Sequence, residues 1–87
     1  MDSTKHVGVI AIIISKRETT APKVNQILTN HGDLIIGRLG LPYGDHSLHV
    51  ISLIVDGDKE QLQGLTAELT AVPDTIVEST MSPVCLG

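Results

Sequence analysis

Residues Val7–Ser15 read VGVIAIIIS, and residues Leu48–Val55 read LHVISLIV. Taken as strands, both are apolar on two faces: in the first, Val7, Val9, Ala11 and Ile13 point one way, and Ile10, Ile12 and Ile14 the other. A strand with one wet face alternates apolar and polar side chains, so these two belong at the centre of a sheet covered on both sides. A chain of 87 residues has too few helices to supply both covers. The second face is therefore expected to meet another copy of the protein.

The flanking segments supply the remaining elements. Lys16-Arg17-Glu18-Thr19-Thr20 ends the first strand, and Thr19 or Thr20 is a suitable helix cap with Pro22 in the first turn. Ala21, Val24, Ile27 and Leu28 recur at helical spacing, and Asn30-His31-Gly32 closes the helix, with Gly32 free to adopt the left-handed conformation. Leu34–Leu41 reads as a second strand, interrupted by Gly37 and Gly40 and stopped by Pro42. Tyr43-Gly44-Asp45-His46 turns the chain into the third strand. Asp58 caps a second helix, with Gln61 at the capping-box position and Leu62, Leu65, Leu69 and Val72 as its apolar stripe. Thr75–Met81 is a half-polar last strand, and Ser82–Gly87 reads as a loose tail.

The resulting β-α-β-β-α-β order predicts an α+β, ferredoxin-like sandwich: a four-stranded antiparallel sheet with two helices on one face. Residues 1–87 form one domain with its core at about 6–81. The two doubly apolar strands fall at the centre and the interrupted ones at the edges, where polar and glycine positions are tolerated. The open face then carries branched aliphatics broken only by Ser52 or His49, depending on register. We expect a homodimer or tetramer through that face, with Ile10, Ile12, Ile14, Ile51 and Leu53 as its contact residues.

Composition narrows the function classes. Net charge is −4, and the six Lys and Arg residues form no basic stripe, so direct nucleic-acid binding is not expected. One aromatic residue, Tyr43, provides no stacking platform for single strands. The longest apolar run, Val7–Ile14, falls far short of the roughly 20 residues of a membrane helix, and with little positive charge in MDSTKH and no convincing cleavage site after the run, no signal peptide is expected. The single Cys85 excludes an internal disulfide and fits a reducing cytoplasm.

Candidate chemistry is sparse. His46 and His49 are three apart, which puts them on opposite faces of a strand unless His46 lies in the turn. His31 and Asp33 flank Gly32 at the helix-to-strand corner. These four are the candidate metal ligands, but none sits at a zinc spacing, so a metal would be shared across an oligomer interface. Cys85 has no neighbouring histidine or helix N-terminus, and Ser15, Ser47 and Ser52 lie outside any nucleophile elbow. The Gly37–Pro42 segment precedes a turn, not a helix, and is no phosphate loop. The chain does not read as an enzyme, and no cofactor is identified. Candidate ligand-binding residues are Lys16 and Arg17 beside the first helix, and Arg38 and Gly40 in the second strand, although an edge-strand arginine commonly just reaches for water.

Element order, length and an oligomeric sheet resemble an ACT-type small-molecule-sensing domain. More specifically, about residues 6–80 resemble a family of iron-only hydrogenase system regulators. The resemblance rests on the aliphatic first strand, the Val24-Asn25-Gln26-Ile27-Leu28 segment, and Ile36-Gly37-Arg38-Leu39-Gly40-Leu41-Pro42, read as Arg-x-Gly-x-Pro. It implies a stand-alone regulatory domain that binds a small-molecule effector or a partner protein, with pockets between subunits and near the Ser15–Thr20 loop. The outline is also similar to the C-terminal domain of nickel-responsive repressors, which tetramerise around shared metal. Here Gly40-Leu41-Pro42 stands roughly where that family's histidine pair would be, and the nickel site is not carried over.

Overall fold

A computed structural model of the chain describes residues 5–43 and 47–85. Its elements are β1 (His6–Ile14), α1 (Arg17–Asn30), a 3-10 turn (Gly32–Leu34), β2 (Ile35–Tyr43), β3 (Leu48–Gly57), α2 (Lys59–Thr70) and β4 (Thr75–Cys85). The sheet order is β2-β3-β1-β4, with every neighbouring pair antiparallel. The two doubly apolar strands occupy the centre and pair without interruption from His6↔Gly57 to Ile14↔His49. The edge strands carry the irregularities. Ile36 is an extra residue in β2 between the Ile35↔Val55 and Gly37↔Ile54 pairs. The register of β4 shifts between its pairs with His6 and Gly8. Bulges at sheet edges twist the exposed backbone away from further pairing.

Both helices lie on one face. Beneath them Ile10, Ile12 and Ile14 of β1 and Ile51, Leu53 and Val55 of β3 are at most 2% exposed, packed with Val24 and Leu28 of α1 and Leu62, Leu65 and Leu69 of α2. Burying each such aliphatic side chain is worth about 1.5–3 kcal/mol before conformational entropy is charged against it.

The second helix begins as its sequence predicts. Gln61 N–H donates to Asp58 Oδ1 at 2.8 Å, and Asp58 N–H donates to Gln61 Oε1 at 3.0 Å, a reciprocal capping box. The first helix departs from expectation at both ends. Thr19 and Thr20 donate their backbone N–H groups to Lys16 O at 3.2 and 2.9 Å, so the first turn closes ahead of them and Lys16 is the cap residue. Pro22 consequently sits inside the helix, where its ring nitrogen leaves one carbonyl of the first turn without its donor. At the other end His31 caps the helix, and Gly32 continues right-handed into the 3-10 turn that buries Leu34.

Left-handed backbone occurs instead at Ser47 (φ 56°) and Asp74 (φ 62°). Asp74 O accepts from Ser15 N–H at 2.9 Å and from Ser15 Oγ at 3.3 Å, which ties the end of β1 to the start of β4. That strand runs past Met81 to Cys85, where a loose tail was expected from Ser82 onward. Pro83 has no ladder donor, but it falls in the shifted part of an edge strand, where none is required. Among the described residues, no helix is long and apolar enough to cross a membrane.

Candidate functional site

Register assigns every strand residue to a face. Directly paired residues share a face, so Val9, Ala11 and Ile13 of β1 lie with Val50, Ser52 and Ile54 of β3, away from the helices. Leu39, Leu41 and Tyr43 of β2 join them from one side, and Ile76, Glu78 and Thr80 of β4 from the other. Leu39, Leu41, Tyr43 and Ile76 are each more than half exposed, and Val9, Ile13, Val50 and Ile54 are exposed by 36–45%. Together these side chains form an apolar patch of roughly several hundred Å2, the size that marks an interaction surface. Their middle is low: Ala11 pairs with Ser52 on one side and with Glu78 on the other.

This corrects the expected contact residues. Ile10, Ile12, Ile14, Ile51 and Leu53 do not line the open face, because they are the floor of the helix-covered core. The open set has the opposite parity. Of the two polar breaks in β3, Ser52 falls on the side that lacks helices, together with Glu78 of β4, whereas His49 falls on the helix side opposite Ile14.

The Arg-x-Gly-x-Pro segment has a different position. Arg38, Gly40 and Pro42 pair with Leu53, Ile51 and His49, which places all three on the helix side of the edge strand β2. Arg38 Nη2 donates to Asn25 Oδ1 of α1 at 3.0 Å. Gly40 lies under the His49 imidazole, and a Cβ there would stand 2.9 Å from Nε2. The His49 Nδ1 atom is buried without a hydrogen-bond partner. Lys16 reaches the other way, to Asp74 at the start of β4, in a solvated 4.0 Å ion pair of little energetic weight. Arg17 opens α1, and its side chain lies outside the described residues. Of the four expected ligand-binding positions, Lys16 and the Arg38–Gly40 pair, the ones whose side chains or surroundings are described, do not converge.

Nor do the described members of the expected metal set, His31, Asp33 and His49. His31 and Asp33 line one polar cleft with Glu60 and Gln61, but the His31 Nε2 atom already meets Glu68 Oε2 at 2.9 Å. His49 pairs with Ile14 and Pro42 at the opposite end of β3, and His46 lies outside the described residues. Among the described residues, no three His, Cys, Asp or Glu side chains group so as to hold a metal ion.

Comparison with known proteins complements this geometry. The model of a family described as "TM1266-like: Iron-only hydrogenase system regulator, putative" matches residues 6–79. The solved structure of uncharacterized protein TM1266 from Thermotoga maritima is 23% identical, with a TM-score of 0.84 over 88% of this chain and 96% of that one. The regulatory subunit of aspartate kinase from Thermus flavus is 22% identical, with a TM-score of 0.52 over 94% of this chain and 53% of its own. A structure described as a putative glycine cleavage system transcriptional repressor is 15% identical, with a TM-score of 0.66 over 92% of this chain and 47% of its own. This chain thus spans about half of each of the latter two. At these identities the likenesses establish the fold, an ACT-like one. No curated protein matches the chain significantly.

Proposed function

The chain belongs to the TM1266-like family of iron-only hydrogenase system regulators, and from that premise we propose that it acts by assembly: a non-catalytic regulatory domain that pairs with a second copy through its open sheet face. The observation that carries this reading is the apolar surface of that face. A patch of roughly several hundred Å2 is of the order of the 800 Å2 or so that each partner contributes to a stable interface of standard size. The low central row of Ala11 and Ser52 allows two sheets to approach to the usual spacing of about 10 Å, while Leu39, Leu41, Tyr43 and Ile76 form the raised flanks. A two-fold axis through the centre sets each flank against the partner's equivalent surface. An effector or a partner protein regulates such an assembly by binding one state more tightly than the other.

Sedimentation velocity tests the reading. The native chain is expected to sediment as a dimer or larger species at about 10 µM, the concentration at which a micromolar interface is mostly formed. Ile13→Asp and Leu41→Asp each place a charge on the exposed face and are expected to give folded monomers with native circular dichroism. A monomeric native chain, or an unchanged profile for both folded variants, overturns the proposal.

A further inference from the structure

A cleft of about 250 Å3 opens on the helix side of the sheet, between α2 and the edge strand β4. It exists because three short side chains meet there: Gly8 of β1, Ala67 of α2 and Ser79 of β4. Register places Ser79 opposite Ile10, and Met81 opposite Gly8, on the face that the helices cover. Ile10, Val55, Leu62 and Met81 supply apolar walls, and among the described residues no Lys, Arg, Asp or Glu lines the cleft. Its polar groups are the Gln63 amide, the Ser79 hydroxyl and Thr66, whose hydroxyl already donates to Leu62 O at 2.9 Å.

We infer that this cleft is a binding site for a small neutral molecule with an apolar body and one hydrogen-bonding group. At protein packing density the volume accommodates on the order of ten non-hydrogen atoms. An apolar lining with a few placed polar groups is the usual chemistry of such sites. The absence of a countercharge selects against anions and cations, which would lose hydration without gaining a partner. The inference deepens the assembly reading and rests on it only for its regulatory meaning. The cleft lies on the opposite side of the sheet from the proposed interface, so it stays open when two copies meet. Along β4 the side chains alternate between the two faces: Ser79 and Met81 fall on the cleft side and Ile76 on the open face, while Thr80, on the open face by register, also borders the cleft. A ligand that wedges α2 from β4 therefore moves a flank of the interface.

Indole, a neutral ring system of suitable size with one N–H donor, is the probe. Titrated into the 15N-labelled native chain, it is expected to shift the amides of Gly8, Thr66, Ala67, Ser79 and Met81 saturably, with a Kd of about 1 mM or tighter. Ala67→Leu and Ser79→Val fill the cleft from two separate elements. Each is expected to weaken binding by about tenfold or more while leaving the sedimentation profile unchanged. Indole-3-acetate, the anionic comparator, is expected to bind at least about tenfold more weakly than indole. Absence of localised saturable shifts, equal binding to both filled variants, or equal binding of the anion overturns the inference. Because titration and sedimentation are read separately, a failed cleft with an intact dimer refutes this inference alone, and a monomer that binds indole refutes the assembly reading alone.

Discussion

Replacing Gly8 by alanine tests how tightly β4 is laid against β1. Gly8 sits in extended backbone between Val55 and Met81, and a Cβ added there would stand 2.9 Å from the carbonyl oxygen of Thr80 and 3.5 Å from Val55 Cγ2. The nearer contact is backbone in a paired strand, so relief requires β4 itself to move by several tenths of an ångström. Overpacking of this kind costs about 1–3 kcal/mol. Against it stands the smaller entropy that alanine loses on folding, about 0.4–1 kcal/mol in favour of the variant. The overpacking term is the larger, leaving a net destabilisation of about 1–2 kcal/mol. With a urea m-value of about 1–1.5 kcal/mol/M for a chain of this size, the unfolding midpoint should fall by about 1 M. If Gly8→Ala unfolds at or above the native midpoint, β4 does not approach β1 as described, and the floor of the cleft beside it is drawn wrongly.

Further substitutions at four positions probe other parts of the fold. Gly64→Ala, in the interior of α2 with nothing within 4 Å of the added methyl, should raise stability by up to about 1 kcal/mol in the same urea assay. Asp58→Ala removes one arm of the capping box and should cost about 1 kcal/mol, with Asp58→Asn largely retaining the cap. Ile12→Asp and Ile13→Asp, neighbours on opposite faces, should behave unlike each other: the first places a charge among fully buried side chains and unfolds the chain by circular dichroism, whereas the second leaves it folded. Two unfolded variants, or two folded ones, would mean the faces are wrongly assigned.

The centre of the sheet was legible because Val7–Ile14 and, Ser52 apart, Val50–Val55 are unbroken apolar runs, which an edge strand does not carry. The capping box at Asp58 and Gln61 and the stripe Leu62, Leu65, Leu69 were legible because they depend on spacing within one helix. Which face meets the helices was harder to read. Both parities of β1 are aliphatic, so the strand that decides the fold says nothing about its own orientation. The information lay in Ser52 and Glu78, one residue in each of two other strands, and becomes readable only once pairing brings both beside Ala11. The start of α1 was misplaced because Thr19 and Thr20 resemble caps locally, while the backbone closes its first turn on Lys16. Arg38 stood out as a lone cation in an apolar strand, but its link to Asn25 joins two separate elements and no local pattern announces it. The cleft beside α2 was equally silent, since Gly8, Ala67 and Ser79 are unremarkable residues until three elements place them together.

The central position of β1 also orders events in time. Both of its ladders are made with strands that follow much later in the chain, whereas β2 ends at Tyr43 and β3 begins at Leu48, so these two can pair as soon as they exist. The β2–β3 hairpin is thus expected to form ahead of the docking of β1, with β4 closing the far edge last, an order that pulsed hydrogen exchange during refolding would check. Non-local closure of this kind is slow compared with local helix and hairpin formation. Until β3 is available, VGVIAIIIS is an uncharged, strongly β-forming segment with both edges unpaired, and it is there that newly made chains would stick to one another.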